Sequence, residues 1–245
     1  MKLSERLKLV ASMVTPGFPV TDVGTDHGYI PIYLVENKIV PSAVASDINP
    51  GPLKHAEKNI LENGLEEKIR LILCDGVPKE KLSGTLVVAG MGGMLMSRIL
   101  KEAGEYLSGY SEFVLSPQSD TESFRADLIE LGLQITDEEM INDMGKFYPV
   151  IKASYVGIKG DTYKPYKNDG ENKERPDRME LIYGPCLLKK KHPVLLQYLE
   201  KQIVSYEEVL GKLSASGMDE GHARFRELSK ELEIAKAAKD MCLER

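Results

Sequence analysis

Short apolar runs in the first half of the chain each end in residues able to hold a ligand. The first run, Pro19-Val20-Thr21-Asp22-Val23, leads into Gly24-Thr25-Asp26-His27-Gly28. Glycines at such a place let backbone come close to a ligand and permit a sharp strand-to-helix turn. The dinucleotide fingerprint G-x-G-x-x-G is broken, because Asp26 stands where its second glycine would be. A carboxylate there repels a pyrophosphate, yet it suits the amino group of a cationic ligand that carries an amino acid. That position favours S-adenosyl-L-methionine over NAD; the plain alternative is an ordinary turn between strand and helix.

The second run, Ser42 to Asp47, continues into Ile48-Asn49. An acid at this strand end, about 20 residues beyond a glycine loop, is placed to bind both ribose hydroxyls of a nucleotide, and Ile48 is placed to cover one adenine face. The third run, Ile69 to Cys74, is followed by Asp75-Gly76, where a carboxylate accepts from an adenine amino group. Each acid taken alone also reads as a solvated helix cap; three at successive strand ends read together as a site. The fourth run, Thr85 to Ala89, enters Gly90-Met91-Gly92-Gly93-Met94. Glycines at this density mean a close backbone contact or a chain crossing beneath a ligand, and Met91 and Met94 read as core or gap-filling residues. The fifth run, Glu112 to Leu115, ends in Ser116-Pro117-Gln118-Ser119. A polar-Pro-polar turn here occupies the place where adenine methyltransferases carry Asn/Asp-Pro-Pro-aromatic. The aromatic residue is missing, and Gln118 offers a donor and an acceptor that suit an adenine edge. A simple turn is the alternative.

The elements that position these turns follow from periodicity. Helical patterns run from Tyr29 to Asn37, with Ile30, Leu34 and Val35 on one face, from Pro52 to the C-cap signal Asn63-Gly64, and from Thr121 to Leu131. Apolar runs alternating with helices predict a parallel sheet covered on both faces. Two longer strands, Gln134–Ile141 and Tyr148–Val156, are joined by the turn Asn142-Asp143-Met144-Gly145 and are predicted antiparallel. The fold class is therefore α/β, a Rossmann-like parallel sheet with an antiparallel last strand. From Gly157 to Pro193 periodicity is lost, leaving loop with short helical pieces. Beyond it, Leu195, Leu199, Ile203, Tyr206, Leu210 and Leu213, then Phe225, Leu228, Leu232 and Ala235, predict two antiparallel helices in a coiled-coil hairpin broken at Gly217. The expected divisions are 1–158, a ligand-binding catalytic domain, 159–192, a basic linker, and 193–245, the hairpin.

Bulk properties narrow the function. A net charge of -6 counts against a protein that coats nucleic acid without preference. The stretch 159–191 is nonetheless locally basic: Lys159, Lys164, Lys167, Lys173, Arg175, Arg178, Lys189, Lys190 and Lys191 outweigh Asp161, Asp169, Glu171, Glu174, Asp177 and Glu180. It reads either as a solvated connection or as a phosphate-binding patch. The start, MKLSERLKLVASMV, is an amphipathic helix without the apolar core of a signal peptide, and no run approaches a membrane span. Cys74, Cys186 and Cys242 are scattered, which argues against a disulfide framework or a zinc site and fits a reducing, cytoplasmic setting.

As a set, Asp22-Val-Gly-Thr-Asp-His-Gly28, Ala45-Ser-Asp-Ile48, Cys74-Asp-Gly76, Ala89-Gly-Met-Gly-Gly93 and Leu115-Ser-Pro-Gln118 resemble the bacterial tRNA (adenine(22)-N1)-methyltransferase family, TrmK. The amphipathic start and the helical tail extend the likeness over nearly the whole chain. The resemblance implies S-adenosyl-L-methionine as methyl donor and N1 of an adenine in the tRNA D-loop as acceptor. Adenine N1 carries a lone pair at neutral pH, so attack on a sulfonium methyl needs proximity and in-line orientation rather than a strong base. The methylated base is cationic, and a nearby carboxylate stabilises the developing charge. Asp26 is the candidate for that role, with Gln118 and Tyr29 positioning the base. N1 lies on the Watson–Crick edge, so the base must be unpaired or flipped. The expected cofactor set is Asp22, Gly24, Asp26, His27, Gly28, Asp47, Ile48, Asp75, Gly76, Gly90, Met91 and Gly92, with His27 bracing the loop. Ser116, Pro117, Lys189, Lys190 and Lys191 are the expected substrate contacts. No metal and no membrane are expected, and the protein is expected as a monomer or weak dimer. Two other readings stay open, a small-molecule methyltransferase and a non-catalytic nucleotide-fold protein that docks through its hairpin.

Overall fold

The computed structural model describes residues 3–157 and 176–244, together with the backbone of two short paired strands at 167–168 and 171–172. Two compact units are found, Met1–Glu174 and Arg175–Arg245.

The first unit is built on a seven-stranded sheet. Its strands are β1 (Val20–Val23), β2 (Ala43–Asp47), β3 (Ile69–Leu73), β4 (Gly84–Ala89), β5 (Tyr110–Ser116), β6 (Leu133–Asp143) and β7 (Lys146–Tyr155), in the order β3-β2-β1-β4-β5-β7-β6. All contacts among β1 to β5 are parallel, whereas β7 runs antiparallel to both β5 and β6. Every residue of β1 is buried, and β4 is buried up to its last residue, which explains why these strands read as unbroken apolar runs. Strand order reverses between β1 and β4, and in open α/β sheets ligands bind outside the carboxyl ends of the strands at such a point.

Helices α1 (Glu5–Ser12), α2 (Tyr29–Glu36), α3 (Pro50–Glu62), α4 (Gly93–Ala103) and α5 (Thr121–Glu130) accompany this sheet. Ser4 caps α1 by accepting from the Leu7 amide at 3.3 Å. Helix α2 is more deeply set than a one-sided stripe implies, since Ile30, Pro31, Ile32, Leu34 and Val35 are all buried. Helix α3 starts at Pro50, ahead of the expected Pro52. Both prolines then fall in its first turn, where the N–H they lack has no helical acceptor anyway. Among the described residues an ion pair lies wholly inside: Arg125 Nε on α5 sits 2.8 Å from Glu138 Oε1 on β6, with side chains 1% and 0% exposed. It ties the helix that follows the 116–120 turn to the edge of the sheet.

The second unit contains α6 (Arg178–Tyr183), α7 (Pro185–Lys189), α8 (Pro193–Ala215) and α9 (Ala223–Leu243). Asp177 and Glu180 form a capping box at the start of α6. Helices α8 and α9 pack antiparallel: Glu207 pairs with Lys236 at 2.7 Å and Glu200 with Lys239 at 3.5 Å, so one chain climbs as the other descends. Leu195, Leu199 and Ile203 are buried on α8, and Leu228, Ala235, Ala238 and Cys242 on α9. The remaining predicted seam residues of α8, Tyr206, Leu210 and Leu213, are only half-buried. Of the basic stretch, the side chains of Lys159, Lys164, Lys167, Lys173 and Arg175 lie outside the described residues. Among the described residues no helix is long and apolar enough to cross a membrane.

Candidate functional site

The loops that follow β1, β2, β4 and β5 meet at the carboxyl edge of the sheet. After β1 the chain turns sharply. The amides of Gly24 and Thr25 both donate to the Ser46 carbonyl, at 2.8 and 3.0 Å, which fastens this loop to the end of β2. Gly24, Asp26 and Gly28 all take positive φ values, +71°, +51° and +71°. Aspartate tolerates the left-handed region better than most side chains, so Asp26 occupies a glycine-like backbone position while keeping a carboxylate. Its side chain is 71% exposed, and His27 Nε2 lies 3.7 Å from its Oδ1.

Asp22 behaves differently from Asp26. It is buried, and the Thr25 hydroxyl donates to its Oδ2 at 2.6 Å. Burial pushes its carboxyl up to about 6; the Thr25 bond opposes that rise and the charge of Asp47 adds to it. Asp22 therefore lies beneath the loop. Asp47 is also buried, and its Oδ1 accepts from the Asn49 amide at 2.8 Å. Ile48 next to it is exposed. Asp75 is half-exposed and lies 3.7 Å from Arg98, and Gly76 faces Ile99.

The glycine run after β4 is accounted for by a close backbone approach. The Gly93 amide donates to the Ser119 carbonyl at 3.0 Å, and a Cβ on Gly93 would stand 2.6 Å from that same oxygen and 2.9 Å from the Asp120 carbonyl. No side chain fits there. The Gln118 amide in turn donates to the Met91 carbonyl at 2.8 Å, and Gln118 Nε2 lies beside Gly90. The two loops are thus laced together. Met91 reaches over Gly24, its methyl standing where a Cβ would be. The structure corrects the reading of Met94, which is largely exposed rather than core. Ser116 is buried and its hydroxyl donates to the Pro149 carbonyl at 3.0 Å; Pro117 is buried too, so both form the floor beneath the exposed Gln118.

Comparison with known proteins decides the family. Residues 3–151 match the model of the methyltransferase domain family. A Bacillus subtilis protein, tRNA (adenine(22)-N(1))-methyltransferase, is 29% identical over 98% of this chain and 98% of its own length. Sp1610 of Streptococcus pneumoniae, solved in complex with S-adenosyl-L-methionine, is 30% identical over 97% of this chain and 100% of that one, with a TM-score of 0.80. The chain belongs to the TrmK methyltransferase family. The crystal structure of B. subtilis TrmK agrees, with 26% identity over 98% of this chain and 99% of that one and a TM-score of 0.80.

Around these loops of the TrmK-family chain the structure adds residues that the sequence did not single out. Thr25 holds Asp22. Asn59 on α3 donates from Nδ2 to the His27 carbonyl at 2.9 Å, bracing the loop. The His27 ring stacks on Tyr29, with centroids 5.1 Å apart and 14° between planes, and lies 5.1 Å from the His55 ring. His55 and Asn59 stand one turn apart on α3, a spacing that shows a shared face but not what that face meets. Lys189, Lys190 and Lys191 belong to the second unit, at the end of α7; all are exposed, and Lys191 Nζ donates to the Glu244 carbonyl.

Proposed function

We propose that this protein transfers the methyl group of S-adenosyl-L-methionine to N1 of an adenine in the D-loop of tRNA. The observation that carries the reading is the end-to-end match with the B. subtilis tRNA (adenine(22)-N(1))-methyltransferase. A likeness confined to the methyltransferase domain would leave the acceptor open; this one includes the helical second unit.

The residues present fit the cofactor. Asp47 is held by the Asn49 amide through one oxygen, and its other oxygen suits a ribose hydroxyl. Ile48, exposed beside it, covers the adenine ring, and Asp75 accepts from the adenine amine. Gly24 and Gly28 let the first loop take the positive φ values of its turn, Gly24 leaving room for the Met91 methyl and Gly28 packing against Ala56. Asp26 faces the methionine ammonium or the base that gains positive charge, and both uses call for a carboxylate. When bound, the cofactor supplies an electrophilic methyl on a sulfonium. Gln118 holds the adenine edge by its amide, Tyr29 flanks the base, and Met91 screens the first loop from water. No residue has to remove a proton before N1 attacks. Lys189, Lys190 and Lys191, with the basic stretch 159–192 and the coiled-coil hairpin 193–245, hold the tRNA while residues 1–158 carry out the reaction. The proposed setting is the cytoplasm and the proposed state a monomer or weak dimer.

The test is incubation with labelled S-adenosyl-L-methionine and either bulk tRNA or a mixture of small metabolites, followed by mass mapping of the nucleosides. N1-methyladenine confined to the D-loop is expected. Label in metabolites but not in tRNA, or in another nucleoside, overturns the reading.

A further inference from the structure

Helix α4 begins with two apolar side chains turned to solvent. Met94 is 71% exposed and Leu95 41%, whereas Met96, Ile99 and Leu100 on the inner face are buried. The outward face beyond the first turn is charged, with Arg98, Lys101 and Glu102 all exposed. The exposed apolar surface of this helix is therefore confined to its first turn. That turn adjoins the 116–119 turn proposed to receive the acceptor base: Gly93, adjacent to Met94, bonds to the Ser119 carbonyl, and a Cβ on Gly92 would meet the Ser119 hydroxyl at 2.9 Å.

Resting on the tRNA reading above, we infer that Met94, backed by Leu95, is the wedge that fills the gap left in the RNA stack when the acceptor adenine is drawn into the pocket. Adenine N1 is reached only when the base is out of its stack, and unstacking costs free energy. Apolar side chains that slip between bases offset this cost, and methionine and leucine are among those used by proteins that kink nucleic acids. Methionine is unbranched, with three rotatable bonds and a polarisable sulfur, so it adapts to a slot one base thick. The guanidinium of Arg98 lies one turn further along the same face, where a phosphate flanking the gap would pass. Its contacts with Asp75 and Glu102 are 3.7 and 3.4 Å long and exposed, so an anion can displace them at little cost.

The experiment uses the full chain with tRNA carrying 2-aminopurine at the acceptor position, in the presence of S-adenosylhomocysteine. The parent protein should raise the fluorescence on binding as the base leaves the stack. Met94→Ala should lower that rise, and the single-turnover rate on unmodified tRNA, at least tenfold. Affinities for S-adenosyl-L-methionine and for tRNA should stay within about twofold, and Met94→Leu should restore most of the rate. Because Met94 is exposed, its thermal midpoint should match the parent. Parental fluorescence and rate in Met94→Ala overturn the wedge while leaving the tRNA reading intact, as does a parent that methylates tRNA without any fluorescence rise. A parent that methylates no tRNA overturns both. If Met94→Ala instead changes the sedimentation of the protein alone, the patch joins copies of this chain and the wedge is withdrawn.

Discussion

The Thr25 hydroxyl donates to Asp22 Oδ2 at 2.6 Å, beneath the loop that carries Asp26. The loop thus rests on a buried carboxyl whose pKa burial lifts from the usual 3.8 to about 6, with Thr25 opposing and Asp47 adding to the rise. The folded pKa is the higher one, so the stability linked to this group is complete below about pH 4 and is lost as pH climbs through about 6. The shift corresponds to about 3 kcal/mol. Asp22→Asn stays neutral and keeps an oxygen for Thr25. It should raise the thermal midpoint above about pH 6 and flatten the decline in stability between about pH 4 and 7. Melts across that range check it; parallel curves for parent and variant would show that Asp22 does not carry the dependence.

Asp47 and Gln118 should separate cofactor binding from chemistry. Asp47→Ala should weaken S-adenosyl-L-methionine binding by about 1.5 to 3 kcal/mol, as for hydrogen bonds lost from a charged group. Gln118→Ala should leave that affinity nearly intact and lower the single-turnover rate by about tenfold to a hundredfold. Calorimetry and single-turnover methylation at saturation measure the two effects. Unchanged affinity in the first variant removes the ribose assignment, and a parental rate in the second moves the acceptor pocket away from the end of β5.

The Arg125–Glu138 pair should matter for folding. Both side chains are out of solvent, so Glu138→Ala takes a charged acceptor away from a buried guanidinium and should cost about 3 to 5 kcal/mol. The double replacement Arg125→Met with Glu138→Leu should cost less than the single variant. Urea unfolding decides between them. A single-variant loss below about 1 kcal/mol would mean that water or another carboxylate takes over.

Reversing Lys189, Lys190 and Lys191 to Glu should weaken tRNA binding and flatten its salt dependence, with no effect on S-adenosyl-L-methionine affinity. Phosphate contacts set affinity and salt slope together. Filter binding at several salt concentrations measures both. Parental affinity and slope would assign this cluster another role, and the contact of Lys191 with the Glu244 carbonyl would then stand as its structural use.

Much of the candidate site was legible because its signals are local. Asp26 at a glycine position, Asp47 after a short apolar run and Gln118 after a proline each declare themselves within a few residues. Thr25 shows how far such reading goes: a hydroxyl three residues after Asp22 is visible in the sequence, but its bond to a buried carboxyl depends on the loop folding back beneath itself. His55 and Asn59 were not legible, because nothing on α3 tells which surface its outward face will meet.

The sequence by itself determined where most of the strands and helices lie, that the strand read as Tyr148–Val156 pairs antiparallel with its predecessor, and that acids stand at successive strand ends. Those properties follow from apolar periodicity and turn chemistry, which act over a few residues. Only the tertiary structure decided that β1 lies between β2 and β4, that Gly93 is pressed against Ser119, and that Asp22 is floor while Asp26 is rim. Each depends on pairing between distant segments and on backbone closeness that residue type alone does not report. Met91 and Met94 make the point. Their spacing is that of one helical face, but α4 starts only at Gly93. Met91 is therefore carried by the loop across Gly24, while Met94, on the first turn of the helix, faces solvent.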